Sequence, residues 1–348
     1  MTSPAPYRPR ALTMRTLAVI VTAYEKVSGF SGYLRPEPRH VDRTLRMRVV
    51  SVDEVADDVR MLRLEPLDER PLAPWHPGAH VDVEVPGVGL RQYSLCGDPA
   101  DRGHVTVAVR RLPGGDGGSL AMHALAVGDG IKVRGPRNAF PFITAERYLF
   151  VAGGIGITPI RPMVHDAARR GADWQLVYTG RTRTSMPFVD ELVALDPARV
   201  HIRPDDEFGA PDAREIVGLT GHGAALYTCG PPAMIDALRA VLPAGNVESL
   251  HCERFSAAPV VGGEPFELVL ARSGHLVPVA ADETALTALR RTLPDLAYSC
   301  RQGFCGTCPV GLIGGEVEHR DRCLPPADRD RRFAPCVSRG HGRLTLDL

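Results

Sequence analysis

Polar and apolar positions alternate through the first half of the chain. Arg46-Met47-Arg48-Val49-Val50-Ser51 and Val59-Arg60-Met61-Leu62-Arg63-Leu64 show the two-residue period of half-buried strands. Further strands are predicted at 79–85, 91–95, 104–111 and 131–134, separated by turn clusters such as the glycine-rich run 112–118. Six short strands at this spacing predict a closed antiparallel β-barrel over 46–145. The rhythm then changes. Apolar strands near 148–152, 174–179, 199–203, 225–228 and 247–250 alternate with helical stretches near 187–195, 212–219 and 231–241. This pattern predicts an α/β doubly wound parallel sheet over 146–257. Residues 258–263, with Pro259 and Gly262-Gly263, read as a linker. A compact α+β module is expected over 264–348, with strands at 266–271 and 276–279, a helix starting near Asp282, and closing strands near Val310 and Leu344.

The first 45 residues stand apart as an N-terminal extension. Leu17, Ile20, Tyr24 and Val27 fall on one helical face, which predicts a short amphipathic helix that packs on the protein or a partner. A signal peptide is the competing reading, but the apolar core Leu17–Ala23 is short and Glu25-Lys26 follow at once. Seven Lys/Arg against three Asp/Glu in this stretch keep a weak membrane-surface role open. No apolar run reaches the roughly 18–20 residues needed to span a bilayer. Over all 348 residues, 41 Lys+Arg balance 41 Asp+Glu, so nothing in the charge points to nucleic acid. The length allows several domains with proper cores.

Eight cysteines change this picture. Cys300, Cys305 and Cys308 have C-x4-C-x2-C spacing, and Cys336 follows after a further 27 residues. That is the spacing of a plant-type 2Fe–2S site, whose two irons need four thiolates. Disulfides would require an oxidising compartment, and zinc sites usually show paired C-x2-C ligands where only one pair exists here. Gly303 and Gly306 suit a loop that wraps closely around a cluster. The other four cysteines, Cys96, Cys229, Cys252 and Cys323, read as small buried thiols. A reducing cytoplasm fits this inventory.

Two further constellations suggest what fills such a cluster. Arg91 ends a barrel strand, and an arginine can clamp a phosphate through charge-assisted hydrogen bonds. Tyr93 lies on the same side, where its ring can stack on a flat cofactor; Ser94 points the other way or reaches a ring atom by its hydroxyl. A plain surface strand is the competing reading. Gly117-Gly118-Ser119 opens a predicted helix, and Val109-Arg110-Arg111 ends the adjacent strand, so together the set points to a flavin. The second constellation is Gly153-Gly154-Ile155-Gly156 with Thr158-Pro159, matched by Cys229-Gly230-Pro231-Pro232. Two glycine turns at strand ends of one sheet fit a dinucleotide, although ordinary tight turns would look the same.

RQYSL, GGS, GPRNAFPF, VAGGIGITP, YTCGPPAM, ERF and SCRQGFCGTC occur in the order seen in the phthalate dioxygenase reductase family, which the chain resembles over residues 46–348. The resemblance implies a flavin barrel, a nicotinamide domain and a C-terminal plant-type ferredoxin domain of β-grasp type, with FMN rather than FAD as the flavin. It implies that Arg91, Gly118 and Ser119 hold the FMN phosphate, that Tyr93 and Ser94 contact the isoalloxazine, and that Val109 and Arg110 line the site. Thr158 would lie near flavin and nicotinamide, with Gly153, Gly154 and Gly156 forming the dinucleotide turn. Cys229, Gly230 and Pro231 would shape the nicotinamide pocket, and Phe255 would cover the ring where nicotinamide enters. Cys300, Cys305, Cys308 and Cys336 would ligate the cluster. Cys323, where an apolar residue is more usual, is a weaker competitor for the fourth ligand.

The expected activity is electron transfer from NADH or NADPH through flavin and cluster to a separate oxygenase. The chain contains neither a Rieske pattern nor room for a haem domain. A Rieske dioxygenase or demethylase is the first partner to expect and a haem-thiolate monooxygenase the next. No acid–base residue is expected, because hydride transfer to a flavin needs none. A free-standing flavin or quinone reductase and a bare electron carrier are the alternatives. Arg181 and Arg183, after the second strand of the sheet, would clamp a 2′-phosphate if NADPH were the donor, or sit solvated if it were NADH. A monomer is expected.

Overall fold

The computed structural model describes residues 44–348 except 69–70, 86, 115–116, 243–245, 256–259, 295, 299–300 and 304–305. The amphipathic helix expected around 17–27 lies outside the described residues, as do Cys300 and Cys305.

The alternating segments form β1 (Thr44–Ala56), β2 (Val59–Pro66), β3 (Ala79–Val85), β4 (Gly89–Ser94), β5 (Val105–Arg110) and β6 (Gly130–Asn138), with α1 (Gly118–His123) between the last two strands. They pair antiparallel in the order β4-β3-β6-β1-β2-β5. Met47, Leu62, Val83 and Val107 point inward and are fully buried. The expected closed barrel is only half closed. Its edges meet at a single bridge, Leu95 to Val107. Beyond that point α1 fills the gap, with Met122 buried in the barrel core and Val88 and Tyr93 packed against that core.

The next segment builds β7 (Arg147–Gly153), α2 (Ile157–Arg169), β8 (Asp173–Gly180), α3 (Val189–Leu195), β9 (Val200–Pro204), α4 (Asp205–Phe208), α5 (Ala213–Gly218), β10 (Ala224–Cys229), α6 (Pro232–Val241) and β11 (Val247–Glu253). The strands are parallel in the order β11-β10-β7-β8-β9, so the direction of winding switches between β7 and β10. Both central strands are buried along almost their whole length. The reason is that α2 and α3 cover one face while α5 and α6 cover the other. The segment entering from the barrel is tied down by two tyrosines. The Tyr227 hydroxyl accepts from Ile143 N at 2.9 Å and donates to Pro141 O at 3.1 Å, and Tyr148 does the same for Ala145 N and Ile143 O at 2.7 and 3.0 Å. Arg161 of α2 also reaches back to the barrel at the Cys96 carbonyl while pairing with Glu191.

The last sheet contains β12 (Phe266–Leu270), β13 (Leu276–Val279), β14 (Val310–Glu318), β15 (Arg332–Phe333) and β16 (Arg339–Leu346), in the order β13-β12-β16-β14-β15. β12 and β16 are parallel and the other pairs antiparallel. Its helix, α7 (Ala285–Thr292), begins a little later than Asp282, because the Thr284 hydroxyl caps it by accepting from Thr287 N at 3.2 Å. Ala285, Ala288 and Leu289 bury the apolar face of α7 against Leu268, Leu344 and Phe333.

Candidate functional site

A cleft opens where the three sheets come together. Arg91, Gln92 and Ser94 of β4 line it from the barrel, and Cys252, Glu253, Arg254 and Phe255 line it from the end of β11. Arg301 and Gln302, in the loop between the first two motif cysteines, complete it from the third domain.

On the barrel side, Arg91 and Gly118 are neighbours. A Cβ on Gly118 would stand 3.1 Å from the Arg91 side chain, so the glycine makes room for the arginine against the start of α1. Arg91 Nη1 donates to Leu90 O at 3.0 Å. The Ser119 hydroxyl is turned to the backbone of Leu112, accepting from its N–H at 3.0 Å. Tyr93 is half-buried, and burial raises its phenol to about 12. Val109 is buried, whereas the Arg110 guanidinium extends to Gly154, 3.4 Å from where a Cβ would stand. Arg110 thereby links the barrel to the glycine turn of the parallel sheet.

Ser94 behaves differently from its neighbours. It is buried, and its hydroxyl donates to Glu253 Oε2 at 3.2 Å, across 159 residues of chain. Burial raises the Glu253 carboxyl to about 7, against the opposing pull of the Ser94 hydrogen bond. Glu253 is the titratable group that reading the sequence missed. Its signal was its place at a strand end two residues before Phe255. Phe255 itself is 49% exposed, an aromatic ring left at the cleft rather than in the core. His80, which also lines the cleft, is driven down to about 4 by burial.

The two glycine turns pack against each other at the switch between β7 and β10. A Cβ on Gly156 would overlap the Cys229 carbonyl, and one on Gly153 would overlap Pro231. A Cβ on Gly230 would likewise overlap Met234, at 2.6 Å, and the Gly153 backbone, at 2.9 Å. Gly154 adopts φ +52, where a side chain is disfavoured. The result is a bare backbone cradle at the carboxyl ends of the strands, the usual dinucleotide position. Thr158 is buried with its hydroxyl on Ile155 O at 3.0 Å. Cys229 is fully buried, and burial pushes its thiol well above the ordinary range. Arg181 and Arg183 are exposed, and Arg183 lies 3.8 Å from Asp190.

In the third domain, Cys308 and Cys336 are 5% and 2% exposed and pack together with Leu286 and Tyr298. Arg301, Gly303 and Gly306 all have positive φ, a backbone conformation that glycine adopts without strain. Arg290 and Arg301 stack on the Tyr298 ring at 4.3 and 4.5 Å. Gly303 is clasped from behind, its carbonyl accepting from Arg322 N at 2.8 Å and Cys323 N at 3.0 Å. The clasp is held by buried Asp321, which accepts from Ser338 Oγ at 2.9 Å, Leu324 N at 2.9 Å and His319 Nδ1 at 3.2 Å. Burial alone would raise Asp321, but these donors keep its carboxyl below the ordinary range. Two of the four scattered cysteines depart from the buried-thiol expectation. Cys252 is only partly buried because it lines the cleft, and Cys323 because it sits in the clasp beside Gly306. Burial pushes the Cys323 thiol to about 11, aided by Asp321 and Cys308.

The soft thiol donors of Cys308 and Cys336, close together and buried, fit a 2Fe–2S cluster, and Arg91 against Gly118, with Tyr93 on the same strand, fits a phosphate-bearing flavin. The bare glycine cradle fits a dinucleotide. Fold and site therefore define an iron–sulfur flavoprotein reductase. The 2Fe-2S iron-sulfur cluster binding domain family matches residues 268–339, and the oxidoreductase FAD-binding domain family matches 46–142. The chain is 38% identical over 309 residues to the toluene-4-sulfonate monooxygenase system reductase subunit of Comamonas testosteroni, covering 86% of this chain and 98% of that protein. It is 33% identical to the phthalate dioxygenase reductase of Burkholderia cepacia, covering 88% of this chain and 98% of that one. The solved structure of phthalate dioxygenase reductase superposes with a TM-score of 0.68. Full-length CYP116B46 from Tepidiphilus thermophilus is 40% identical with a TM-score of 0.67, covering 90% of this chain but only 44% of that longer one.

The chain belongs to the phthalate dioxygenase reductase and vanillate demethylase reductase family. It is the reductase component of an oxygenase system, carrying electrons from NAD(P)H through a flavin and a 2Fe–2S cluster. Among the described residues no helix is long and apolar enough to cross a membrane.

Proposed function

We propose that this reductase uses NADH and FMN and delivers electrons to a separate oxygenase, in the cytoplasm and as a monomer. The observation that carries the reading is the cleft shared by β4, the end of β11 and the cluster loop, since one ligand seated there touches all three domains. Arg91, Gly118 and Ser119 hold the flavin phosphate, with Tyr93 and Ser94 along the ring and Val109 and Arg110 at its border. FMN rather than FAD is the flavin, on the resemblance carried by Gly135-Pro136-Arg137-Asn138-Ala139-Phe140-Pro141. Phe255 shields the ring, and Thr158 stands between the flavin and nicotinamide positions. Gly153, Gly154 and Gly156 with Cys229, Gly230 and Pro231 accept the dinucleotide. Cys300, Cys305, Cys308 and Cys336 ligate the cluster. When bound, the flavin accepts an electron pair from the nicotinamide and passes electrons singly to the cluster. The chain's part is to seat the donor, hold the Ser94–Glu253 pair at the cleft and keep Arg301 and Gln302 beside it.

The preference for NADH is supported by charge. α4 places Asp205, Asp206 and Glu207 on the surface directly after β9, and Asp206 N donates to Arg181 O at 3.1 Å. Three carboxylates next to the Arg181 segment oppose a 2′-phosphate there.

A Rieske oxygenase is the first acceptor to test, in keeping with the dioxygenase and demethylase reductases among the relatives. A haem-thiolate monooxygenase is the second, supported by the 40% identity to CYP116B46. An anaerobic titration with NADH and, in parallel, NADPH tests the reading by absorbance and EPR. Flavin bleaching followed by a reduced 2Fe–2S signal is expected, faster with NADH. Bleaching without a cluster signal means an uncoupled flavin reductase. No bleaching with either donor leaves an electron carrier.

A further inference from the structure

A second and larger groove, about 800 Å³, runs beside the flavin cleft between the nucleotide sheet and the cluster domain. Arg239 and Arg254 line it from the nucleotide side, and Arg320, Arg322 and Arg339 from the cluster side. No Asp or Glu is among the described residues of its wall. The chain as a whole has as many acidic as basic residues, so this local excess is not a by-product of a basic protein.

Some of this charge is already balanced. Asp236 pairs with Arg254 and lies 3.9 Å from Arg239, and Glu318 pairs with Arg320 at 2.7 Å. Five guanidinium groups thus share two carboxylates at this distance. Arg339 is buried and spends its terminal nitrogens on the carbonyls of Glu283, Glu264 and Ala280. The Arg254 side chain is only 8% exposed, and its Nε is buried with no hydrogen-bond partner among the described residues. Arg322 is exposed, and its guanidinium has neither a hydrogen bond nor an ion pair among the described residues.

We propose that this groove binds a small multiply charged anion of the diphosphate or triphosphate class, at a site separate from the dinucleotide cradle. Arginine forks match phosphate oxygens in pairs, and a groove of this volume falls in the range of small-ligand sites, roughly 300–1,000 Å³. Arg322, an exposed member of the set, offers its guanidinium to a ligand entering the groove, with Arg239 on the opposite wall. Because the two walls belong to different domains, the anion would bridge them. Cys336 also borders the groove, so the bridge would form beside a proposed cluster ligand.

The test is isothermal titration of the flavin- and cluster-loaded full-length protein with inorganic pyrophosphate at fixed ionic strength, with and without saturating NADH. We expect one saturable site that NADH does not displace. Arg322→Glu, at an exposed position, should weaken it at least about tenfold, and Arg239→Gln on the opposite wall about threefold, as charge-assisted phosphate contacts are lost. Flavin and cluster absorbance checks that both variants are loaded. Three results would each overturn the proposal: no saturable binding in the millimolar range, displacement of pyrophosphate by NADH, or wild-type affinity in both variants.

Discussion

Glycine is used at Gly156 and at Gly306 for opposite reasons. Gly156 has φ −63, a conformation that any residue adopts, yet a Cβ there would run into the backbone of Cys229 and Gly230. Gly306 has φ +70, a conformation that side chains disfavour, yet among the described residues the nearest atom to its missing Cβ is 3.9 Å away. At position 156 the nucleotide cradle therefore needs glycine for contact, and at position 306 the cluster loop needs it for backbone shape. A bare sequence shows the same letter in both places. The difference predicts different responses to substitution.

The largest effect is expected at the contact-limited position. Gly156→Ala forces two strand-end turns apart, and no rotamer change relieves backbone against backbone. The cost should be about 3 kcal/mol, in the upper range for overpacked sites. Thermal unfolding should shift down by several degrees, and NADH-driven flavin bleaching should slow more than about tenfold as the cradle opens. Gly156→Asn should be no better. An unchanged melting temperature in Gly156→Ala would mean that the two turns are not in contact.

At Gly306 the expected loss is smaller, and the order of substitutions reverses. Alanine at positive φ costs about 1 kcal/mol, and asparagine tolerates that region better. Cluster content per protein, read by absorbance and iron analysis, should fall in Gly306→Ala and partly recover in Gly306→Asn. Equal loss in both would point to side-chain volume instead of backbone shape.

What was legible follows the same division. The two-residue and helical periods located the strands and helices, because a strand buried on one face must alternate and a strand buried on both faces cannot. The closure of the barrel was not legible. It depends on how two edges meet, at Leu95 and Val107, and on α1 plugging the remaining gap with Met122, which is a matter of three-dimensional fit. The site divides likewise. Arg91, Gly118 and the glycine turns lie in short contiguous motifs, so the family resemblance could single them out where spacing alone left a plain strand and ordinary turns open. Ser94 and Glu253 are 159 residues apart, and only the fold shows that they share a hydrogen bond. Asp321, the brace behind Gly303, has no motif of its own and is recognisable only by the donors gathered on it.

Glu253 also gives the nucleotide side a pH response. Its carboxyl is raised from 4.5 to about 7 by burial. Below about pH 4.5 it is neutral in folded and unfolded chains alike, and the folded protein keeps the full advantage of burying a neutral group. As pH rises from 4.5 to 7 the unfolded chain ionises first, so that advantage shrinks and is lost above the folded value. Melting temperature should therefore fall between pH 5 and 8 by about 3 °C more in wild type than in Glu253→Gln, which carries no ionisable group. Parallel profiles for the two proteins would show that the carboxyl titrates normally.

The smallest effects are expected at the rim, where charges are exposed and screened. Arg183 is more than half exposed and nearly 4 Å from Asp190, so Arg183→Ala should change the KM for NADH by less than about threefold. The acidic turn offers the sharper test, because it acts by repulsion on one donor only. Asp206 is exposed and its backbone is joined to Arg181, so its charge faces whatever approaches that segment at solvent dielectric. Removing one such charge is worth about 1 kcal/mol or less at a few ångströms. Asp206→Asn should then raise kcat/KM for NADPH by up to about fivefold while leaving that for NADH unchanged. A gain for both donors would assign the turn a general effect on binding, and a gain for neither would place the 2′ position of the ribose away from α4, so that the choice between donors would have to come from Arg181 and Arg183 alone.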